Sequence, residues 1–212
     1  PWGAVHRLGT ERMRHVEGAA ALAYSPDGKT FASAGWGQNF ALLWNAADGK
    51  LIRRFDCDVA SGSFAIAFSA DGSKVAVGCG LGMVYLFEAQ TGRELRRWKQ
   101  QNPHCERVYG VALSPDGKTV ASIGSDCYVY FWDCGTGDQI YRYNISGPSH
   151  NSKIVAFSPD GTRLAAVSAS RMSVSDWRAK KVVSTKDDRN EVNIVSLAYA
   201  PDGTSIITSS YT

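Results

Sequence analysis

Short apolar runs separated by turn signals recur along the chain. The clearest stretch is Val108 to Asp133, VYGVALSPDGKTVASIGSDCYVYFWD, in which residues 114–117 and 124–126 separate three apolar runs. Proline suits the second position of a tight turn, aspartate bonds to the turn with its own side chain, and glycine accepts the positive φ that reverses the chain. The stretch therefore predicts three antiparallel strands connected by hairpins.

The turn at 114–117 has four counterparts at a nearly constant interval. The five turns end at Gly28, Gly72, Gly117, Gly161 and Gly203, which are 44, 45, 44 and 42 residues apart. This period is typical of propeller blades with four short strands each. Helical repeats of similar length need amphipathic runs of roughly ten residues or more, whereas the runs here are short and rich in β-branched and aromatic residues. We therefore expect an all-β protein built from four-stranded antiparallel blades.

The third strand of the third unit carries the clearest family resemblance. The ending Phe131-Trp132-Asp133 looks like the Trp-Asp dipeptide that names the WD-repeat β-propellers. With the period and the Pro-Asp-Gly turns, nearly the whole chain resembles this family, in the style of its bacterial multi-repeat members. The resemblance implies about four complete repeats, a partial fifth repeat and an N-terminal closing strand. The expected boundaries are 1–14 for the closing strand and 15–57, 58–100, 101–145, 146–187 and 188–212 for the repeats.

The fifth unit has sequence for its first two strands, at 193–199 and 205–209, and none for a third. We favour the interpretation that the sequence is a fragment of a larger ring, because propellers usually have more blades than this. The alternatives are an assembly in which another copy completes the fifth unit, and a closed five-bladed monomer.

Composition excludes several classes of protein. Apolar residues make up 44% and charged residues 20%, which is typical of a globular domain, and the formal net charge of +3 is too small to predict a nucleic-acid partner. No apolar run approaches the ~20 residues of a membrane span. The five cysteines lack the spacing of metal ligands, so we expect no metal and no cofactor, and a reducing compartment such as the cytoplasm.

One repeat combines His104, Ser122, Asp126 and Trp132, and the first three are the residue types of a serine-hydrolase triad. The nucleophile-elbow motif is absent around Ser122. In the WD-repeat family such residues form a buried hydrogen-bond network instead, so the resemblance implies a structural role and no catalytic residue. The separation of 18 residues between histidine and serine recurs in two other repeats, which supply His15, Ser33 and Trp44, and His150, Ser168 and Trp177.

The second repeat lacks almost all of this set, since Phe87 replaces the tryptophan. We therefore predict that the third repeat is the most rigid and that apolar packing alone holds the second.

The resemblance implies a non-catalytic scaffold that binds other proteins, with neither nucleic acid nor membrane as partner. Binding is expected on the face that carries the loops before the first strand and between the second and third strands. The candidate contact residues there are Trp36, Arg107, Ser125 and Arg171. Trp36 is the sharpest candidate because an aromatic residue in a glycine-rich loop suits a contact hot spot. The alternative is that its ring folds over the neighbouring blade.

Two other functions remain open. The chain could be the sensory or regulatory part of a larger bacterial enzyme, such as a protein kinase with its catalytic domain outside this chain. A propeller hydrolase would need carboxylates or histidines facing the central axis, and the first strands here are apolar.

Overall fold

The computed structural model describes residues 18–59, 61–102, 105–145, 153–187 and 193–211. In these ranges the chain forms eighteen strands and no helix. The strands are β1 (Ala19–Tyr24), β2 (Thr30–Gly35), β3 (Phe40–Asn45), β4 (Leu51–Asp56), β5 (Ser63–Phe68), β6 (Lys74–Cys79), β7 (Met83–Glu88), β8 (Glu94–Lys99), β9 (Val108–Leu113), β10 (Thr119–Gly124), β11 (Tyr128–Asp133), β12 (Gln139–Asn144), β13 (Lys153–Phe157), β14 (Arg163–Ser168), β15 (Arg171–Asp176), β16 (Lys181–Asp187), β17 (Asn193–Tyr199) and β18 (Ile206–Tyr211).

These strands form five antiparallel sheets in which each strand pairs with its neighbour in sequence. Sheets 1 to 4 contain β1–β4, β5–β8, β9–β12 and β13–β16, and sheet 5 contains β17 and β18 among the described residues. The predicted all-β fold of four-stranded blades is confirmed. The N-terminal strand expected within 1–14 lies outside the described residues.

The first strands of the sheets lie side by side at the centre of the molecule. β1 packs against β5, β5 against β9, β9 against β13, and β13 against β17. The apolar core fills the spaces between successive sheets; Phe55 and Phe87, for example, meet between sheets 1 and 2 with their ring centroids 5.3 Å apart. Each sheet contacts mainly its neighbours. The first strands that meet at the centre belong to different sheets, so residues that are far apart in the sequence lie close together there.

The turns between first and second strands lie at the opposite end of β1, β5, β9, β13 and β17 from the loops that precede these strands. In the turn of sheet 2, the carboxylate of Asp71 accepts hydrogen bonds from the Ser69 hydroxyl at 2.5 Å and the Ser73 amide at 3.0 Å. Gly72 has a φ of +71°, which is why the turn requires glycine there.

Successive turns also contact one another. A β-carbon at Gly161 would lie 3.2 Å from Cδ of Pro115 in the preceding turn, and Gly203 stands in a similar relation to Pro159. In sheet 2 the proline position is occupied by Ala70, and the ammonium group of nearby Lys74 donates to the carbonyl oxygen of Gly117 at 2.8 Å. The turn glycines are therefore packing positions as well as turn residues.

A candidate binding cavity at the centre of the sheets

A cavity of about 410 Å³ opens at the centre, where the first strands begin. All five sheets contribute to its lining, since four first strands each supply the residue at their second position, and two loops, the first residue of β13 and β17 supply the others. The lining residues are Ala20, Trp36, Phe64, Arg107, Tyr109, Lys153, Ile154 and Val195. Equivalent positions in successive first strands thus form part of the cavity wall.

Aromatic rings form one wall of the cavity. Trp36, in the loop between β2 and β3, packs edge-on against Phe64 of sheet 2, with the ring centroids 5.0 Å apart. The Phe64 ring lies 6.1 Å from that of Tyr109 in sheet 3. Trp36 nevertheless remains 43% exposed. The ring thus packs on the neighbouring sheet, as the second alternative expected, and its role as a contact hot spot stays a prediction.

Two cationic side chains enter the same cavity. The Arg107 guanidinium carbon lies 5.4 Å from the Phe64 centroid, and the Lys153 nitrogen lies 5.5 Å from the Tyr109 centroid. Lys153 is only 5% exposed. Within the described parts of the chain, neither cation has a carboxylate within 4.0 Å. Among the residues that the structure describes, the lining includes two positive charges and no acid, so this part of the cavity favours an anion.

Ser125 positions one of these cations. Its hydroxyl accepts hydrogen bonds from the backbone amides of Glu106 at 2.8 Å and Arg107 at 3.3 Å, and its own amide donates to the Arg107 carbonyl at 2.9 Å. The Ser125 carbonyl oxygen accepts from the Lys153 ammonium group at 3.3 Å. Ser125 is therefore not itself among the lining residues, but it bonds to Arg107 and Lys153, which are.

The structure brings three of the four candidate contact residues together and leaves one apart. Trp36 and Arg107 line the cavity, and Ser125 holds Arg107. Arg171 does not line it; its guanidinium forms two hydrogen bonds to Asp187 of the adjacent strand, at 2.6 and 2.8 Å.

Sequence reasoning missed Phe64, Tyr109 and Lys153. The available signal was a charged or aromatic residue at the start of an apolar first strand, as in Lys153-Ile154-Val155-Ala156-Phe157. Which of these residues share a cavity depends on the packing between sheets.

Tryptophan and serine meet in sheets 1 and 3. The Trp44 indole donates to the Ser33 hydroxyl at 2.7 Å, and the Trp132 indole donates to the Ser122 hydroxyl at 2.9 Å. In sheet 3, Ser122 also accepts from the side-chain amide of Gln100 at 3.0 Å. His15, His104 and His150 lie outside the described residues.

The sheet 3 network continues away from the tryptophan. The Cys105 thiol lies 2.6 Å from the amide oxygen of Gln100, to which it donates. Side chains alternate between the two faces of a strand, so the position of Gln100, two residues after buried Trp98, could have identified it as buried.

Asp126 accepts a hydrogen bond from the Tyr130 hydroxyl at 2.8 Å. Burial raises the pKa of Asp126 above its usual value despite that bond.

Sheet 4 does not bring Trp177 to Ser168. The Trp177 indole donates to the carbonyl oxygen of Gly161 at 3.1 Å, while the Ser168 hydroxyl lies 3.6 Å from the Cys127 sulfur. Ser168 is paired with Arg171, and the six residues from there to Trp177 span about 20 Å in a strand. The equal separation from histidine therefore concealed different strand positions: Ser168 is the sixth residue of β14, whereas Ser122 is the fourth of β10, and Trp177 lies beyond the end of β15.

The described residues contain no group of three histidine, cysteine or acidic side chains that could hold a metal ion. In the same ranges no helix has the length and apolar character needed to cross a membrane. All five cysteines are free thiols.

Comparison with known proteins agrees with this architecture. The family described as WD domain, G-beta repeat matches residues 96–133. WD repeat-containing protein SL1-17 of Schistosoma mansoni is 30% identical over 148 residues, covering 70% of this chain and 44% of that protein. An uncharacterized WD repeat-containing protein of Synechocystis is 31% identical over 146 residues, covering 68% of this chain and 39% of the relative.

A longer alignment joins the chain to echinoderm microtubule-associated protein-like 2 of Rattus norvegicus, which is 25% identical over 199 residues, covering 93% of this chain and 29% of that protein. The chain thus spans less than half the length of these curated relatives. The repeat period, the four-stranded sheets and these matches agree, and the chain belongs to the WD-repeat family.

Proposed function

We propose that the chain is a non-catalytic β-propeller scaffold that binds a protein partner through the loops around the central cavity. Its WD-repeat relatives support protein interaction as the general kind of function. The observation that carries the proposal is a cavity lined from all five sheets in which Trp36 is 43% exposed. Tryptophan and arginine are the residue types most enriched among interface hot spots.

Rigid presentation is the proposed mechanism. The Arg107 segment is tied to the next loop through Ser125, and Trp36 leans on Phe64. Because these groups are already held, a partner loses little binding energy in ordering them. The cavity of about 410 Å³ suits the side chains of a peptide segment inserted from the partner.

The proposal assigns no catalytic residue. Of the groups that can act as nucleophile or base, the described lining holds the Lys153 amine and the Tyr109 hydroxyl, and no histidine, carboxylate, serine or cysteine beside them. Ser122 is fully buried and accepts from Trp132 and Gln100, so its hydroxyl serves the fold. The regulatory part of a larger bacterial enzyme stays a hypothesis.

A peptide selection tests this function. Heptapeptides selected from a random display library against the 212-residue chain would be synthesised and titrated against Trp36→Ala. We expect a loss of affinity of about tenfold or more, because this change removes the exposed ring at the cavity. Tyr24→Ala is the matched control, since Tyr24 is 60% exposed at the far end of β1. Equal binding to Trp36→Ala and the parent chain, or a selection without binders, would contradict the proposal.

A further inference from the structure

Lys153 is a charged group in a position that a neutral residue fills elsewhere. It begins β13, and Ser63 begins β5 in sheet 2. Ser63 is fully buried and joins two sheets by accepting from the Gly35 amide at 3.2 Å and donating to the Phe40 carbonyl at 3.0 Å. A hydroxyl therefore suffices to join neighbouring sheets at this position. The ammonium group of Lys153 brings a charge that this joint does not require.

That charge is costly unless an anion neutralises it. Lys153 is 5% exposed and contacts the Ser125 carbonyl and the face of Tyr109. The Asp126 carboxylate, which accepts from Tyr130 and lies more than 4.0 Å away, attracts the ammonium group from a distance without forming an ion pair with it. An ammonium group has three donors, and burial of a charge is unfavourable without a charged or well-bonded partner. The nitrogen lines the cavity and can direct further hydrogen bonds to a ligand there.

Arg107 adds a second cation on the neighbouring sheet. Its guanidinium group lies over Phe64, and its backbone is fixed by Ser125. Two positive groups facing one cavity repel each other, and a bound anion replaces this repulsion with attraction to both. Arginine also offers a planar pair of donors that fits a carboxylate.

The rest of the lining is apolar and limits the kind of anion. Trp36, Phe64, Tyr109, Ile154 and Val195 surround the cations. A strongly hydrated free ion gains little from such walls, whereas a peptide can place an apolar side chain on them beside its acidic group. The chemistry of the cavity is therefore mixed, with charge at Arg107 and Lys153 and apolar surface at Trp36.

We propose that the partner segment is an acidic peptide whose Asp or Glu carboxylate binds between Lys153 and Arg107, with a neighbouring apolar side chain against Trp36 and Phe64. This inference rests on the proposed binding function of the same cavity. It names the chemical class of the partner, a carboxylate-bearing linear segment of another protein.

The test uses the peptides selected above. We expect them to be enriched in Asp or Glu next to an aromatic or aliphatic residue. Each peptide would be made with acetylated and amidated ends, in its acidic form and with Asn or Gln in place of the acid. The amide form should bind about tenfold more weakly, the cost of losing one charged partner. Raising the salt concentration should weaken only the acidic form.

Two variants identify the cations. Arg107→Met and Lys153→Met should each weaken the acidic peptide by about tenfold and leave the amide form unchanged, because each removes one charge and keeps an apolar stem. Lys29→Met is the matched control; it removes the same charge from a turn at the opposite end of sheet 1, where Lys29 lies 3.9 Å from Asp27. Thermal unfolding shows whether each variant is folded. If Lys153→Met does not fold, Arg107→Met still tests the proposal, because Arg107 is exposed.

The outcomes separate the two proposals. Peptides that need Trp36 but are neutral or basic, and that ignore both cation variants, would overturn the acidic class while the binding function stands. A phosphoserine peptide that binds where the carboxylate form does not would also overturn it. Peptides that bind without regard to Trp36 would remove the basis of both.

Discussion

Sheets 2 and 3 have the same topology and the same ring stacking but differ in polarity. Tyr85 stacks on Phe87 with centroids 5.9 Å apart, and Tyr130 stacks on Trp132 at 5.4 Å, in matching positions of β7 and β11. Only in sheet 3 does the second ring carry a donor, which the Ser122 hydroxyl accepts. The comparison shows that the stacked rings are common to both sheets and that the polar network is an addition.

Sheet 2 closes the same space with apolar groups. Val77 of β6 stands where Ser122 stands in β10, and both Val77 and Phe87 are buried. An apolar pair tolerates small changes of shape, whereas a buried network is costly to leave half satisfied. The greater rigidity of sheet 3 stays a prediction, which amide hydrogen exchange would measure as slower exchange in β10 than in β6.

The largest effect is expected from converting sheet 3 to the apolar type in one step. Ser122→Val leaves the Trp132 indole and the Gln100 amide without their buried acceptor, so the free energy of unfolding should fall by about 2–4 kcal/mol. Urea denaturation measures it. The double variant Ser122→Val with Trp132→Phe reproduces the sheet 2 pair and should recover about 1 kcal/mol of that loss. Strictly additive losses would show that the network contributes nothing as a unit.

A smaller effect is expected from exchanging the turn residues of the two sheets. Ala70→Pro gives the sheet 2 turn the proline found in sheet 3 and should raise the free energy of unfolding by about 0.4–1 kcal/mol, because it restricts the unfolded chain. The Ala70 amide donates none of the backbone bonds of this turn, which run from Gly72 and Ser69. Pro115→Ala is the reciprocal control and should lose a similar amount. A destabilised Ala70→Pro would mean that the contact of Lys74 with Gly117 matters more than the turn.

The smallest effect concerns acid stability. The Ser69 hydroxyl, with the Ser73 amide and hydroxyl, lowers the pKa of Asp71 from 3.8 to about 2. The folded pKa is below the unfolded value, so the ionised carboxylate stabilises the fold fully above about pH 4, and this contribution disappears as the pH falls through about 2.

Between about pH 4 and about pH 2, the free energy of unfolding of Asp71→Asn should therefore fall less than that of the parent chain. Denaturation at each pH measures this difference. The counterpart in sheet 3 is Asp116, where burial acts to raise the pKa, and the Ser114 hydroxyl, the Lys118 amide and the nearby charges of Arg178 and Lys118 together lower it. Asp116→Asn should flatten the profile less. A larger change for Asp116→Asn would reverse this ranking of the two turns.

Local features were predictable from the sequence. The hairpins and their strands follow from alternation and turn chemistry, which act over a few residues; the three strands predicted on either side of 114–117 and 124–126 are β9, β10 and β11. Features that join sheets were not. The strand register of sheet 4 places Ser168 at the end of β14, opposite Arg171 and away from Trp177, and the approach of Lys153 to Tyr109 depends on how two sheets pack.

The contacts between successive turns constrain how the chain can change. Since Gly161 rests against Pro115 and Gly203 against Pro159, an insertion in one turn would displace the next. Length variation is therefore expected to accumulate at the opposite end, in the loops around the cavity. In a protein built in this way, the loops around the cavity can change in length while the contacts between turns at the opposite end keep the spacing of the sheets.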